Sequence, residues 1–217
     1  MRTVIREFWK DLKTKKNKEK LKERRRRSLF FEWRIMKYSI YFFEGELKNE
    51  GLRRALTLEA VSSYCLSRGI DFDAENAVIS KGEKGKPFIA GLPVHYNVSH
   101  TGSMWMCIAG PAECGIDIQL AKECDYEKIA ARHFSPAEQD YVRLWGIDGF
   151  FRIWTRREAY GKFTGEGFYG SMPDFVDKDG NLTEYTGGAY LREINIADDI
   201  FCVYCTGGKD DEIEFFG

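Results

Sequence analysis

The most informative stretch of this chain is Trp154-Thr-Arg-Arg-Glu-Ala-Tyr-Gly-Lys162. It lies in the strongest helical pattern of the sequence, at residues 150–163. Trp154, Glu158 and Lys162 are four residues apart and so share one helix face. A Glu-Lys pair at this spacing usually lies on a solvated surface, but the many aromatic residues around it indicate a helix buried on several sides. A carboxylate and an ammonium on such a helix indicate a functional site.

The other predicted elements fall on both sides of this helix. Before it, in chain order, we expect a strand at 36–43, a helix at 52–66, strands at 94–98 and 104–109 joined around residues 99–102, a strand at 115–119, and helices at 126–133 and 136–144. Ser135 is a natural N-cap, with Pro136 at the first helical position. Strands follow at about 185–194 and 200–206. This order predicts an α+β fold of two halves, 36–114 and 115–217, with a functional cleft between them.

Charge is distributed unevenly along the 217 residues, whose formal net charge is −1. Residues 1–35 hold 14 Lys and Arg against 5 Asp and Glu, a net of +9, which leaves −10 for the remainder. We therefore expect a basic N-terminal arm, helical or disordered, on an acidic body. The arm lacks the interleaved aromatic residues of base-stacking proteins, so a nucleic-acid partner is not favoured. Because a well-patterned strand begins at Met36, that residue could also be the biological start.

The six cysteines lie in apolar contexts, and no apolar signal segment precedes them, so we expect them to be reduced and mostly buried. Cys202 and Cys205 form a CxxC pattern, but positions three apart on a predicted strand point to opposite faces, which disfavours a metal or redox role. No apolar run approaches the ~18 residues of a membrane-spanning helix. We expect a soluble cytoplasmic protein without a membrane partner.

Polar residues at predicted turns and strands add to the helix site. Asp117 projects from the face opposite its two isoleucine neighbours, as an acidic group on an otherwise apolar strand. Lys86 lies in a Gly-Lys-Pro turn, and Ser99 and His100 follow a predicted strand. These side chains can offer a cation and hydrogen-bond donors to phosphates. We find no positioned acid that would complete a hydrolytic triad with Ser99 and His100.

In order and spacing, five motifs together resemble the 4'-phosphopantetheinyl transferase superfamily over about residues 54–168. They are Gly-Lys-Pro87, Asn-x-Ser-His100, Gly-Ile-Asp-Ile118, Phe-Ser-x-x-Glu138 and Trp-x-x-Arg-Glu-Ala-x-x-Lys162. The Gly-Lys-Pro motif makes the chain similar to the surfactin-type, pseudo-dimeric branch rather than to the short, trimeric holo-acyl-carrier-protein synthases. The resemblance implies a monomer whose two similar α+β halves are related by pseudo-twofold symmetry, with coenzyme A in the cleft.

The same resemblance implies an activity and a set of site residues. The enzyme would use magnesium to transfer the phosphopantetheine arm of coenzyme A to a serine of an acyl or peptidyl carrier protein, releasing 3',5'-ADP. Asp117 and Glu158 would bind the metal, with Gln119 as a third position, and Lys162 would act with them in catalysis. The residues implied to contact coenzyme A are Lys86, Pro87, Ser99, His100, Arg54, Arg157 and Lys162.

Departures from the family pattern leave alternatives open. Many surfactin-type members have a glutamate where Gln119 stands, and a glutamine cannot accept a proton as a carboxylate does. Arg157 replaces a common lysine and keeps its positive charge. The segment before Leu52 is short beside family members that place basic residues there, so Arg53, Arg54 or the basic arm could supply the 3'-phosphate contacts. The alternative function is a non-catalytic module that binds coenzyme A or carrier proteins. A nucleic-acid-binding module rests on the arm alone.

Overall fold

The structure is a computed structural model that describes residues 35–47, 49–168 and 170–217. The predicted basic arm lies outside the described residues except for its last position. Along the chain the elements are β1 (Lys37–Glu44), α1 (Glu50–Ser67), β2 (Ile79–Lys81), β3 (Pro87–Ile89), β4 (His95–Thr101), β5 (Met104–Gly110), β6 (Cys114–Leu120), α2 (Tyr126–His133), α3 (Pro136–Thr164), β7 (Tyr185–Thr186), β8 (Ala189–Glu193), β9 (Ile200–Thr206) and β10 (Glu212–Phe216). The predicted mixed α+β class is confirmed.

The first four-stranded sheet has the order β10-β1-β5-β4 and packs against α1. The Asn49 side chain caps α1 by accepting from the Gly51 amide at 2.7 Å. The predicted connection at residues 99–102 is wrong in part, because β4 pairs with β5 as far as Thr101 and the turn lies at Gly102, whose φ is 54°. Ser99 and His100 are therefore strand residues, which fixes the direction of their side chains.

The last strand, β10, was not predicted and lies parallel to β1 at the edge of the first sheet. Its sequence, Glu-Ile-Glu-Phe-Phe, lacks the sustained apolar alternation of a half-buried strand, and most of its residues are exposed. The pairing brings the C-terminal end of the described chain back to the sheet of the N-terminal half.

The second four-stranded sheet has the order β6-β9-β8-β7 and packs against α3. Two helices predicted at 136–144 and 150–163 form this single element, which is kinked at Gly146. Ser135 and Glu138 form a capping box at its start. The helix lies so close to β6 that a Cβ added at Gly115 would collide with the Ala159 carbonyl oxygen.

The two sheets meet where their edge strands, β4 and β6, lie side by side. Side-chain hydroxyls join these strands: Ser99 Oγ accepts from the Ile118 amide at 3.3 Å, and Thr101 Oγ1 accepts from the Leu120 amide at 3.2 Å. A third apolar cluster fills the space between the sheets. Strand β6 is thus fixed to the first sheet by hydrogen bonds as well as by packing.

The cysteines follow the prediction. All six are free, and five of them are buried. Cys202 packs in the cluster between the sheets, whereas Cys205 packs in the cluster below α3, so the CxxC residues point to opposite faces. Across the described ranges, no helix has the length and apolar character needed to cross a membrane.

Candidate functional site

Asp117 is the centre of the site and is only 1% exposed. Ser99 Oγ and Lys162 Nζ each donate to its Oδ1 at 2.7 Å, and Gln119 Nε2 donates to its Oδ2 at 2.9 Å. Both carboxylate oxygens therefore have partners, which compensates for the cost of burying the charge. The predicted alternation on β6 is confirmed, since Ile116 and Ile118 pack between the sheets on the opposite face.

The buried side of α3 supplies the other two charges of the site. Lys162 Nζ contacts Asp117 and also donates to the Ile116 carbonyl oxygen at 3.0 Å. Glu158, one turn earlier, is half-buried. Burial raises the pKa of Glu158, the Asp117 carboxylate raises that pKa further, and Lys162 opposes both effects. Two carboxylates and one ammonium thus lie within electrostatic reach of one another.

The site contains a small set of side chains that could bind a metal ion. Within the part of the chain that the structure describes, no three His, Cys, Asp or Glu side chains come together as a metal cluster. The site instead holds two carboxylates, Asp117 and Glu158, and the amide of Gln119, which bonds to Asp117. An amide oxygen and carboxylate oxygens are hard ligands, so the candidate donors suit a cation such as Mg²⁺ rather than a soft metal.

A basic group lies next to this cluster at the end of β4. His100 is exposed, and its pKa is lowered by partial burial and by the positive charges of Arg53 and Lys162. Arg53 Nη1 donates to the Leu47 carbonyl oxygen, whereas Arg54 Nη2 donates to the Ala77 carbonyl oxygen at 2.9 Å. Of these two arginines of α1, Arg53 is the one whose charge affects His100. Which arginine meets the 3'-phosphate stays a prediction.

A cleft of about 380 Å³ runs beside these residues between the two halves. Lys86, Pro87 and Asn97 line it from the first half, and Lys162 lines it from the second. Asn97 is 3% exposed, yet its Oδ1 has no hydrogen-bond partner among the described residues. An unsatisfied buried acceptor beside a cleft is available to a ligand that donates hydrogen bonds.

The structure does not bring Arg157 to this cluster. Its Nη1 pairs with Glu138 Oε2 at 2.8 Å in the core of the second half, and its guanidinium lies over the Phe134 and Phe168 rings. No partner for Glu138 was predicted from its motif. Its Oε1 also accepts from the Phe175 amide at 3.2 Å. The Phe-Ser-x-x-Glu motif therefore supports the helix that carries Glu158.

Comparisons with known proteins point to one family. The model of the 4'-phosphopantetheinyl transferase superfamily matches residues 113–204, the span from the start of β6 into β9. The 4'-phosphopantetheinyl transferase gsp of Aneurinibacillus migulanus is 32% identical over 137 residues, which cover 60% of this chain and 56% of the relative. Sfp of Bacillus subtilis (strain 168), also a 4'-phosphopantetheinyl transferase, is 32% identical over 57% of this chain and 56% of its own length.

A third relative is matched over a larger share of its length. The 4'-phosphopantetheinyl transferase AcpT of Salmonella typhimurium (strain LT2) is 33% identical over 140 residues, which cover 61% of this chain and 68% of AcpT. The chain thus spans little more than half the length of gsp and Sfp but two thirds of AcpT. Together with the motifs and the mixed α+β fold, these matches identify the chain as a member of the 4'-phosphopantetheinyl transferase superfamily.

Proposed function

We propose that this protein transfers the 4'-phosphopantetheine arm of coenzyme A to a serine of an acyl or peptidyl carrier protein. The observation that carries the proposal is the convergence of Asp117, Glu158 and Lys162 beside the cleft. Phosphoryl transfer needs charge neutralisation and in-line positioning more than a covalent group on the protein. Lys162 supplies positive charge at this site, and the two carboxylates can hold a cation that would supply more.

Coenzyme A is a polyanion with hydrogen-bonding groups along its arm, and the cleft offers matching partners. Lys162 and Arg53 provide positive charge for phosphates, and the His100 imidazole can donate a hydrogen bond to one. Asn97 Oδ1 can accept a hydrogen bond from the ligand. Arg157 is left out of this set because its guanidinium is bound in the core.

The donor set also fits Mg²⁺, which the family resemblance implies. Mg²⁺ is usually bound through one or two carboxylates together with waters and substrate phosphates. Asp117 and Glu158 would hold it, with Gln119 turning its amide oxygen inward or orienting a water. When bound, the ion neutralises phosphate charge and the repulsion between the two carboxylates.

The chain's own residues would then carry out the remaining steps. The carrier serine oxygen attacks the β-phosphorus of coenzyme A, and the phosphorus–oxygen bond to the departing 3',5'-ADP breaks. Lys162 lies where it can neutralise charge on the transferring phosphate. Glu158 is the candidate acceptor of the serine proton, because its raised pKa brings its basicity closer to neutral pH.

One chain supplies the whole candidate site, since the cleft takes Lys86 and Asn97 from the first half and Lys162 from the second. This supports a monomer as the active form. The six free cysteines support a reducing compartment such as the cytoplasm.

The test is intact-mass analysis of apo carrier proteins after incubation with coenzyme A and Mg²⁺. We expect a gain of one phosphopantetheine, which is lost with EDTA and in Glu158→Gln. The matched control is Asp148→Asn, an exposed acid on the same helix, which should transfer normally. Binding of coenzyme A without transfer to any acyl or peptidyl carrier would contradict the proposal and favour a non-catalytic binding module.

A further inference from the structure

We propose that Lys86 is a positioning residue that fixes the end of α3 on β6, rather than a ligand of coenzyme A phosphates as the resemblance implies. The inference rests on the proposed function for its kinetic readout. The Lys86 ammonium is surrounded by three acceptors from two other parts of the chain, residues 113–114 and the end of α3. Its own position is on the turn between β2 and β3, where Gly82 and Lys86 close the hairpin through a backbone hydrogen bond of 2.9 Å.

The donors of this ammonium are fully used within the protein. A lysine ammonium has three N–H donors and no acceptor. Lys86 Nζ donates to the Phe163 carbonyl oxygen at 2.7 Å, to the Cys114 carbonyl oxygen at 3.3 Å, and to Glu113 Oε2. Its side chain is 19% exposed. A phosphate could be bound only after one of these bonds is broken.

Glu113 is itself held in place by the first residue of β4. Its Oε1 lies 3.0 Å from His95 Nδ1, at the start of β4. The carboxylate therefore connects His95 to Lys86 and neutralises the ammonium locally. A cation that already has a carboxylate partner attracts a phosphate less strongly than a free one.

The acceptors of Lys86 lie at the ends of the two elements that form the candidate site. Phe163 follows Lys162 directly on α3, and Cys114 is the first residue of β6, three positions before Asp117. The helix end leaves room for the lysine stem, because Gly165 has no side chain and a Cβ there would lie 3.3 Å from Lys86 Cδ. Lys86 thus sets how far α3 slides along β6.

The position of α3 along β6 determines whether the site is active, because Lys162 and Glu158 must lie beside Asp117. Losing the contact would let the last turn of α3 move relative to β6. Displacements of about 1 Å at a catalytic group can cost about a hundredfold in rate. Lys86 would therefore affect the chemical step while leaving coenzyme A affinity largely intact.

The test compares Lys86→Met with Lys178→Met, a lysine of an exposed turn paired with Asp179. At a temperature well below both melting temperatures, we expect Lys86→Met to lower kcat about tenfold or more while KM for coenzyme A changes less than about twofold. A tenfold rise in KM with unchanged kcat would identify a phosphate ligand and overturn the proposal. Unchanged kcat and KM would also overturn it.

A second variant, Glu113→Gln, keeps the side-chain shape and an acceptor oxygen but removes the charge. Positioning predicts a smaller fall in kcat with KM for coenzyme A unchanged. If Lys86 binds phosphate instead, freeing it from Glu113 should lower that KM. This variant also covers the case in which Lys86→Met does not fold.

A readout without transfer separates this inference from the proposed function. Hydrogen exchange of the free protein should show the amides of residues 160–165 exchanging about tenfold faster in Lys86→Met than in Lys178→Met. If wild-type protein transfers nothing but this difference is present, the proposed function fails and the positioning role stands. Equal exchange in the two variants would overturn the positioning role.

Discussion

Ser99 Oγ lies 2.7 Å from Asp117 Oδ1 and donates to it, while the same oxygen accepts from the Ile118 amide. One hydroxyl on the edge strand of the first half therefore orients the central carboxylate of the second. The bond accounts for a serine at this position without assigning it a nucleophilic role. It also links stability of the seam between β4 and β6 to the geometry of the site.

Replacing this hydroxyl should affect both properties. In Ser99→Ala, the buried Ile118 amide and one Asp117 oxygen each lose a partner, which we expect to cost about 1–3 kcal/mol of unfolding free energy. Transfer should fall through kcat, because Asp117 is less well held. Urea unfolding and steady-state kinetics measure the two effects. Ser99→Thr, which keeps the hydroxyl, should recover part of both, and wild-type stability in Ser99→Ala would contradict this role.

Gln119 gives a prediction about metal affinity. Its amide donates to Asp117, whereas a glutamate there would add negative charge beside Asp117 and Glu158. We expect Gln119→Glu to be less stable than wild type in EDTA and to gain more stability from Mg²⁺, because a third carboxylate tightens binding of the cation. Thermal unfolding across a Mg²⁺ titration measures this.

The control for that variant is Gln139→Glu, whose amide donates to the Phe134 carbonyl oxygen at the start of α3. It should respond to Mg²⁺ as wild type does. An identical Mg²⁺ response in both variants would argue against a cation beside Asp117.

His100 predicts proton uptake on coenzyme A binding. Partial burial, Arg53 and Lys162 lower its pKa below the ordinary value of 6.5, which disfavours the protonated imidazole in the free protein. A bound phosphate would raise that pKa again. Calorimetry near pH 6.5 in buffers of different ionisation enthalpy should therefore detect proton uptake, which His100→Gln removes and the control His133→Gln retains.

The lowered pKa of His100 also makes the stability of the folded protein depend on pH. The unfolded chain binds the His100 proton more readily than the folded protein, so the contribution of His100 to stability is complete above pH 6.5 and is lost as the pH falls through the lowered pKa. If the contribution of His100 instead increased stability as the pH falls through this range, His100 would already be paired with an anion in the free protein.

The ion pair of Arg157 and Glu138 predicts a structural effect. Glu138 is 0% exposed, so Arg157→Ala leaves a buried carboxylate without its counter-ion and should cost about 3–5 kcal/mol of unfolding free energy. The control is Arg143→Ala, which removes an exposed pair with Asp140 on the same helix and should cost less than about 1 kcal/mol. Equal losses of unfolding free energy in the two variants, measured by urea unfolding, would mean that the buried pair stabilises the fold no more than the exposed pair.

The parts of the site that sequence could predict are those set by short-range periodicity. The four-residue spacing of Glu158 and Lys162 and the alternation around Asp117 follow from helix and strand geometry alone. The capping box at Ser135 is equally local. The break expected between the two predicted helices corresponds to the kink at Gly146, but periodicity does not reveal that the helix continues beyond it.

The parts that sequence could not predict depend on distant partners. Arg157 immediately precedes Glu158 in the sequence. Its side chain nevertheless points into the core, because Glu138 lies there. The acceptors of Lys86 include two main-chain carbonyl groups, whose positions no residue type indicates. Strand β10 pairs with a strand about 175 residues earlier, and its exposed sequence carries little signal of that contact.

The most direct test of the central claim is the mass of an apo carrier protein after incubation with coenzyme A, Mg²⁺ and either wild-type protein or Asp117→Asn. Wild type should add one phosphopantetheine to the carrier serine. Asp117→Asn, shown by circular dichroism to be folded, should add none over the same time, because Asp117 connects Lys162, Gln119 and Ser99. Transfer by Asp117→Asn at the wild-type rate would contradict the assignment of this site.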